Sequence, residues 1–89
     1  MNLRNPGDSK PGGKVPLSDI LDELSRAERK FPRPFINPHE GFSVLSEEMD
    51  ELKKEVYQQQ DDYNLALMRK EAIQVAAMAM RFLKDCCSR

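Results

Sequence analysis

Residue types that serve many catalytic and metal sites are scarce in this chain. Its 89 residues include no tryptophan, one histidine and two cysteines. Because Cys86 and Cys87 are adjacent, a bridge between them would close a strained ring and join no distant segments. His39, the single histidine, leaves a zinc site within one chain or a Cys–His catalytic pair short of residues. We therefore expect two reduced thiols in an intracellular protein.

Long apolar runs and an excess of either charge are also missing. No stretch approaches the roughly 18 apolar residues that a membrane span needs, and the N-terminus lacks the apolar core of a secretory signal. The 14 basic residues oppose 15 acidic ones, giving a formal net charge of −1, whereas nucleic-acid-binding domains usually carry a basic excess. The sequence predicts a cytoplasmic protein with no membrane partner and no nucleic-acid partner.

The first sixteen residues differ from the rest in composition. They hold three of the four glycines and three of the six prolines, with few apolar side chains. Such a segment cannot bury enough surface to offset its ordering entropy. We interpret residues 1–16 as a flexible tail and residues 17–89 as one folded domain. A small adaptor that recruits a partner through the tail is one function that the sequence leaves open.

Hydrophobic spacing in the domain predicts three helices and no strand. Ser18 is the expected N-cap of the first helix, which Pro32 stops. Asn37 is the expected cap of the second helix, with Glu40 completing a capping box. The fold class is therefore all-α, a helical bundle of about three helices per chain. The expected first and third helices cover about residues 19–31 and 64–84, and the second runs from residue 37 to the polar run 58–62.

The middle of the third helix is apolar around nearly its whole circumference. Residues 72–80 contain one polar side chain, Gln74, so burial on almost every side is expected. Two other helices cannot easily cover such a helix, and a chain this short buries only about 60% of its unfolded surface. We expect a second subunit to complete the bundle by oligomerisation. An internal helix in a lone three-helix bundle is the alternative.

The second helix places acidic side chains along the edge of its apolar stripe. Glu48 and Glu51 are three residues apart and lie about 60° from each other around the helix, and Glu55 continues that edge. Carboxylates held side by side repel, and each loses hydration near a core, so basic partners or a cation must offset the cost. The stripe itself consists of Phe42, Leu45, Met49, Leu52 and Val56.

The third helix repeats the spacing with Glu71 and Gln74. Gln74 lies inside the apolar run and needs a buried hydrogen-bond partner. Two helices that each offer an oxygen pair could enclose one or two hard divalent cations, which prefer oxygen ligands. An ordinary solvated acidic face, with the glutamates paired to lysines, is the competing interpretation.

These residues also resemble a known motif. Glu47-Glu48-Met49-Asp50-Glu51, followed after nineteen residues by Glu71-Ala72-Ile73-Gln74, is similar to the Glu-Glu-x-x-Glu and Glu-x-x-Asp pattern of the MazG-like group of all-α nucleoside triphosphate pyrophosphohydrolases. The strings His39-Glu40-Gly41-Phe42 and, after the second pair, residues 75–82 resemble small bacterial and phage members. The resemblance covers about residues 37–84.

The resemblance implies a Mg²⁺-dependent enzyme that assembles as a homodimer or homotetramer, with Mn²⁺ as an alternative ion. Such enzymes cleave (d)NTPs between the α- and β-phosphates and release a nucleoside monophosphate and pyrophosphate. By position, Glu48, Glu51 and Glu71 would be metal ligands, and Gln74 holds the fourth ligand position. Glu47 matches the remaining acidic position, for which a supporting or water-activating role is implied.

One departure from the family pattern concerns Gln74, which stands where the family has aspartate. An amide oxygen can ligate a hard cation, but it brings no negative charge and cannot act as a base. We expect weaker metal binding, one ion instead of two, or an inactive site, so a catalytically impaired helical oligomer with a binding or structural role is the alternative function. Lys54 and Arg81 are candidates for phosphate contact, against the competing interpretation of ordinary surface charge.

Overall fold

The described part of the chain folds into three α-helices. The computed structural model describes residues 13–58 and 64–88, so most of the predicted tail, residues 1–12, lies outside the described residues. Within them there is no strand, which confirms the all-α prediction, and no helix is long and apolar enough to cross a membrane. The helices are α1 (Leu17–Lys30), α2 (Pro38–Gln58) and α3 (Leu65–Phe82), and a π-helical segment (Leu83–Cys87) continues α3.

Side-chain caps set the starts of α2 and α3. Asn37 Oδ1 accepts a hydrogen bond from the backbone N–H of Glu40 at 2.9 Å, which confirms the predicted cap of α2. The Glu40 carboxylate accepts from the N–H of Ile36 at 2.7 Å, one residue before the cap, whereas the predicted capping box would use the N–H of Asn37. Asn64 caps α3 in the same manner, because its Oδ1 accepts from the N–H of Leu67 at 3.0 Å. Both caps satisfy backbone donors that a helix leaves open at its first turn.

The predicted start of α1 is wrong. The helix begins at Leu17, one residue before the expected cap, and Ser18 is already helical. The carbonyl of Pro16 accepts the first helical hydrogen bond, from the N–H of Ile20 at 3.1 Å. Since Pro16 carries no side-chain acceptor, α1 starts without a side-chain cap.

The third helix, α3, forms the centre of the fold. Both α1 and α2 pack against α3 far more than against each other. Ile20 and Leu24 of α1 are buried against Ala77 and Met78 of α3. As a result, α1 and α2 stand as two walls on a common floor, with a cleft between them. The partly buried apolar residues around this core are Ala27, Val44, Leu45, Ile73, Ala76 and Met80.

The stripe that the sequence predicts on α2 only partly faces the core. Leu45 and Leu52 are half-buried, but Phe42 and Met49 are 64% and 49% exposed. The inward face of α2 is therefore rotated away from these two residues and towards the acidic edge of the stripe.

A close approach at the start of α2 accounts for this rotation. Gly41 is buried, and a Cβ at this position would lie 2.8 Å from the ring of Phe82 and 3.0 Å from the ring of Phe35. The bare backbone of Gly41 therefore lets α2 settle with this side inward. Glu48 lies two turns further along the same side and becomes half-buried.

The apolar run of α3 is only partly covered by the chain itself. Ala77 and Met78 are buried, but Val75 and Ala79 keep intermediate exposure and Ala72 is exposed. The expected second subunit stays a prediction, and the partly exposed apolar residues of α3 form the surface that it would cover.

Arg81 ties the carboxyl end of α3 to the connector between α1 and α2. Its side chain is 5% exposed, and Nη2 donates to the carbonyls of Phe31 at 2.7 Å and Arg33 at 2.8 Å. Nε donates to Asp85 at 3.4 Å, and the guanidinium lies 4.7 Å from the centroid of the Phe35 ring. Arg81 thus closes one end of the cleft by holding the connector in place.

Candidate functional site

The cleft between α1 and α2 is large enough for a small molecule. Its volume is about 400 Å³, and small-molecule sites usually occupy about 300–1,000 Å³. Gln74, Met78 and Arg81 of α3 form the floor. The charged side chains of the walls are Glu23, Arg26 and Lys30 on α1, and Glu40, Glu47 and Glu48 on α2.

At one end of the cleft, Gln74 joins carboxylates from two helices. In the orientation that satisfies its hydrogen bonds, the amide nitrogen donates to Glu48 Oε2 and to Glu71 Oε1, each at 3.1 Å. The hydrogen-bond partner that the sequence predicts for Gln74 is therefore a pair of carboxylates, and all three side chains are half-buried. If the amide were rotated by half a turn, its oxygen would face both carboxylates, and a cation would be needed to offset the repulsion.

Acidic side chains from all three helices act on Glu48. Partial burial raises the pKa of the Glu48 carboxyl, and the negative charges of Glu71, Glu51, Glu23 and Glu47 raise it further, in that order. The ionised form of Glu48 is thus held where neighbouring charges oppose it. A positive charge in this position would relieve both the desolvation and the repulsion.

The two other predicted acids lie beside this cluster, outside the contacts with Gln74. Glu51 is about half exposed and pairs with Lys54 at 3.4 Å. Glu47 is exposed on the wall of the cleft. Lys54, a candidate for phosphate contact, therefore has an acidic partner on its own helix.

Arg81, the second candidate for phosphate contact, lines the floor of the cleft but is engaged with the protein. Its donors hold the carbonyls of Phe31 and Arg33 and the carboxylate of Asp85. The structure therefore gives Arg81 a structural role that surface charge patterns do not predict.

The oxygens at this site suit a cation that takes some of its ligands from the protein and the others from a bound substrate. Among residues 13–58 and 64–88, no three His, Cys, Asp or Glu side chains are arranged to hold a metal ion. The oxygens brought together are those of two carboxylates, Glu48 and Glu71, and the Gln74 amide adds its oxygen when it is rotated by half a turn. Mg²⁺ is usually held by one or two carboxylates together with substrate phosphates and water, so this donor set fits Mg²⁺ in a complex with a phosphate ligand.

Sequence reasoning missed the contribution of α1 to the site. Glu23 acts on Glu48 electrostatically, and Arg26 and Lys30 line the opposite wall of the cleft. A signal was available in the spacing, because Glu23, Ala27 and Lys30 recur at helical intervals beside the buried Leu24. Nothing local, however, shows that this edge of α1 faces α2.

No protein-family model, curated protein or solved structure matches the chain. The resemblance to the MazG-like group therefore rests on the motif residues of the sequence.

Proposed function

We propose that the protein is a Mg²⁺-dependent nucleotide pyrophosphohydrolase of the cytoplasm, acting on (d)NTPs between the α- and β-phosphates. The observation that carries this proposal is the meeting of Glu48 and Glu71, from two helices, around the Gln74 amide. This cluster lies at the cleft, whose volume of about 400 Å³ accommodates a small ligand.

Each residue of the motif has a defined task under this proposal. Glu48, Glu71 and the oxygen of a rotated Gln74 amide would hold the ion, and Glu51 would exchange Lys54 for it. The ion, when bound, supplies charge neutralisation at the phosphates. Glu47 lies exposed on the wall of the cleft, where its carboxylate can accept a proton from a water molecule.

The proposed reaction is a simple hydrolysis. Water adds to the α-phosphorus, the bond from this phosphorus to the bridging oxygen breaks, and a nucleoside monophosphate and pyrophosphate leave. Phosphoryl-type transfer of this kind depends on positioning and charge stabilisation more than on covalent catalysis by the protein. The glutamates on the α2 wall of the cleft supply negative charge, and Arg26 and Lys30 on the α1 wall supply positive charge.

The proposal includes assembly as a homodimer or homotetramer. Phe42 and Met49, two turns apart on α2, are 64% and 49% exposed, and Val75 and Ala79 of α3 keep intermediate exposure. A second copy that covers these residues would complete the bundle. Light scattering coupled to size-exclusion chromatography tests this, and a monomer at micromolar concentration would contradict it.

An assay of pyrophosphate release tests the activity. Incubated with Mg²⁺ and a panel of (d)NTPs, the wild-type protein should release pyrophosphate from at least one of them. Glu48→Gln, Glu51→Gln and Glu71→Gln should abolish the release, because each removes a ligand charge. Asp50→Asn is the matched control, since Asp50 is exposed on the same stretch of α2. No release with any nucleotide at high enzyme concentration would refute the proposal.

A non-catalytic helical oligomer is the second candidate, and one observation favours it. The Gln74 amide donates to both Glu48 and Glu71 and so takes the place that a cation would have between them, as expected for a scaffold that has replaced its metal. Calorimetry with Mg²⁺ or Mn²⁺ and a non-hydrolysable nucleotide separates the two candidates. Metal-dependent binding that Glu48→Gln removes supports the enzyme, whereas the absence of such binding supports the scaffold.

A further inference from the structure

The wall of the cleft opposite the acidic cluster carries two basic side chains beside Glu23. Arg26 and Lys30 are one turn apart on α1, and both line the cleft, facing Glu47 and Glu48 on α2. The pKa of the Arg26 guanidinium lies above its ordinary value, first through the hydrogen bond and the charge of Glu23 and then through the charge of Glu48. Arg26 is therefore within electrostatic range of the acidic cluster across the cleft.

Glu23, which is less exposed than Arg26, fixes the orientation of the Arg26 side chain. Its Nε donates to Glu23 Oε1 at 3.1 Å, and its Nη2 donates to Glu23 Oε2 at 2.7 Å. The side chain of Glu23 is 18% exposed and that of Arg26 is 55% exposed. The Glu23 carboxylate thus orients the Arg26 guanidinium, while more than half of the Arg26 side chain stays exposed to solvent. A guanidinium has five N–H donors, and those outside this pair can bind a phosphate.

The two other arginines of the cleft are more fully engaged by protein groups than Arg26 is. Both terminal nitrogens of Arg33 donate to protein oxygens, Nη1 to Glu40 and the Pro34 carbonyl and Nη2 to Glu40, whereas Arg26 meets Glu23 through Nε and Nη2. Arg81 is buried against backbone carbonyls and Asp85. Within residues 13–58 and 64–88, the contact recorded for Lys30 Nζ is the weak attraction of the Phe31 ring, whose centroid lies 5.5 Å away. Arg26 and Lys30 are therefore the cleft residues whose charge a ligand can use.

The arrangement selects an anion that brings a cation with it. A bare anion in the cleft would be attracted by the α1 wall and repelled by Glu47 and Glu48 on the α2 wall. An extended phosphate chain that carries Mg²⁺ meets complementary charge on both walls, because the ion faces the carboxylates and the outer oxygens face the bases.

We propose that Arg26 and Lys30 bind the phosphate chain of the nucleotide on the wall opposite the carboxylate cluster. This inference rests on the proposed function and deepens it by naming the residues that recognise the substrate's phosphates. Arg26 supplies a paired donor geometry fixed by Glu23, and Lys30 adds charge at the end of α1.

Calorimetric titration with inorganic pyrophosphate, in the presence of excess Mg²⁺, tests the inference on the full chain. Arg26→Gln should weaken binding by about tenfold or more, the loss expected for a charge-assisted hydrogen bond, and Lys30→Gln should weaken it to a smaller extent. Arg26→Lys should recover part of the affinity, since it restores the charge without the fork. Arg29→Gln is the matched control, because Arg29 is exposed on α1 and does not line the cleft.

Circular dichroism establishes that each variant is folded, and we expect this because exposed ion pairs contribute little to stability. If Arg26→Gln binds pyrophosphate as tightly as the wild-type protein does, or if the wild-type protein does not bind it, the inference is overturned. Binding that depends on Arg26, with no release of pyrophosphate from any nucleotide, would support the inference and refute the hydrolase activity. If the protein releases pyrophosphate from a nucleotide and the KM for that nucleotide is unchanged in Arg26→Gln, the hydrolase activity is supported and the inference is refuted.

Discussion

Replacing Gln74 by aspartate, the residue of the MazG-like pattern, should make the protein less stable in the absence of a divalent cation. It should also make the stability depend more strongly on Mg²⁺. The Gln74 amide donates to Glu48 and to Glu71, each at 3.1 Å. Gln74→Asp removes both hydrogen bonds and places a third carboxylate beside the first two. Without a divalent cation, the variant should therefore be less stable than the wild-type protein.

The magnitude follows from the contacts that are lost. A hydrogen bond to a charged group contributes about 1.5–3 kcal/mol, and partial exposure of the cluster reduces this figure. Repulsion adds to the loss, although the shorter aspartate can turn towards solvent and lessen it. We expect a net loss of about 2–3 kcal/mol, which for a domain of this size lowers the melting temperature by about 10–20 °C.

Excess Mg²⁺ should restore much of this loss. A ligand that binds only the folded state contributes about 2.7 kcal/mol when its concentration is about 100 times its Kd. The increase in melting temperature on adding Mg²⁺ should thus be larger for Gln74→Asp than for the wild-type protein. Pyrophosphate release by the variant should be preserved or raised, because aspartate supplies the charge that glutamine lacks.

Thermal melting followed by circular dichroism, in EDTA and in excess Mg²⁺, measures these effects. Ala72→Asp is the matched control, because it adds the same charge to the exposed side of α3. It should show no added response to Mg²⁺. If Gln74→Asp melts in EDTA at or above the wild-type temperature, the contact of Gln74 with two carboxylates is not stabilising, and the reasoning fails.

Three further predictions concern the connector and the start of α2. Arg81→Met should cost about 3 kcal/mol, because it leaves the largely buried carboxylate of Asp85 without its positive partner and removes a donor from the carbonyls of Phe31 and Arg33. A shift of the urea midpoint measures this, and an unchanged midpoint would contradict it. Asn37→Ala should cost about 1 kcal/mol through loss of the cap, a change that the same titration resolves. Arg33 and the Ile36 N–H lower the pKa of Glu40 below its ordinary value of 4.5, so the stabilisation by ionised Glu40 exists above that value and is lost as pH falls through the lowered pKa. Melting curves of wild-type and Glu40→Gln proteins should accordingly differ at neutral pH and converge in acid, and a constant difference would refute this.

The helices and most of their starts were predictable because local interactions determine them. Asn37 and Asn64 begin helices through their own side chains, and apolar spacing predicts three helices. Ser18 failed as a cap because the carbonyl of Pro16 starts the helix without a side chain. A backbone group can begin a helix at either of two neighbouring residues, and side-chain preference alone does not decide between them.

The candidate site was predictable in part. The spacing of Glu48, Glu71 and Gln74 within each helix indicated which oxygens lie on one face, and the structure brings these three side chains together. The spacing also grouped Glu51 with them, but Glu51 lies at the open edge and pairs with Lys54. The difference arises because the rotation of α2 decides which acid faces α3.

What the sequence by itself determined is the helical class, the approximate bounds of the helices and the grouping of acids along two of them, all of which depend on neighbours within a few turns. The tertiary structure alone decided how far α2 rotates, since that depends on the close approach of Gly41 to the rings of Phe82 and Phe35. It also decided that Arg26 of α1 faces the acidic cluster and that Arg81 is buried beneath the connector. These contacts join residues far apart in the chain, and their free energy comes from packing and desolvation that no local pattern records.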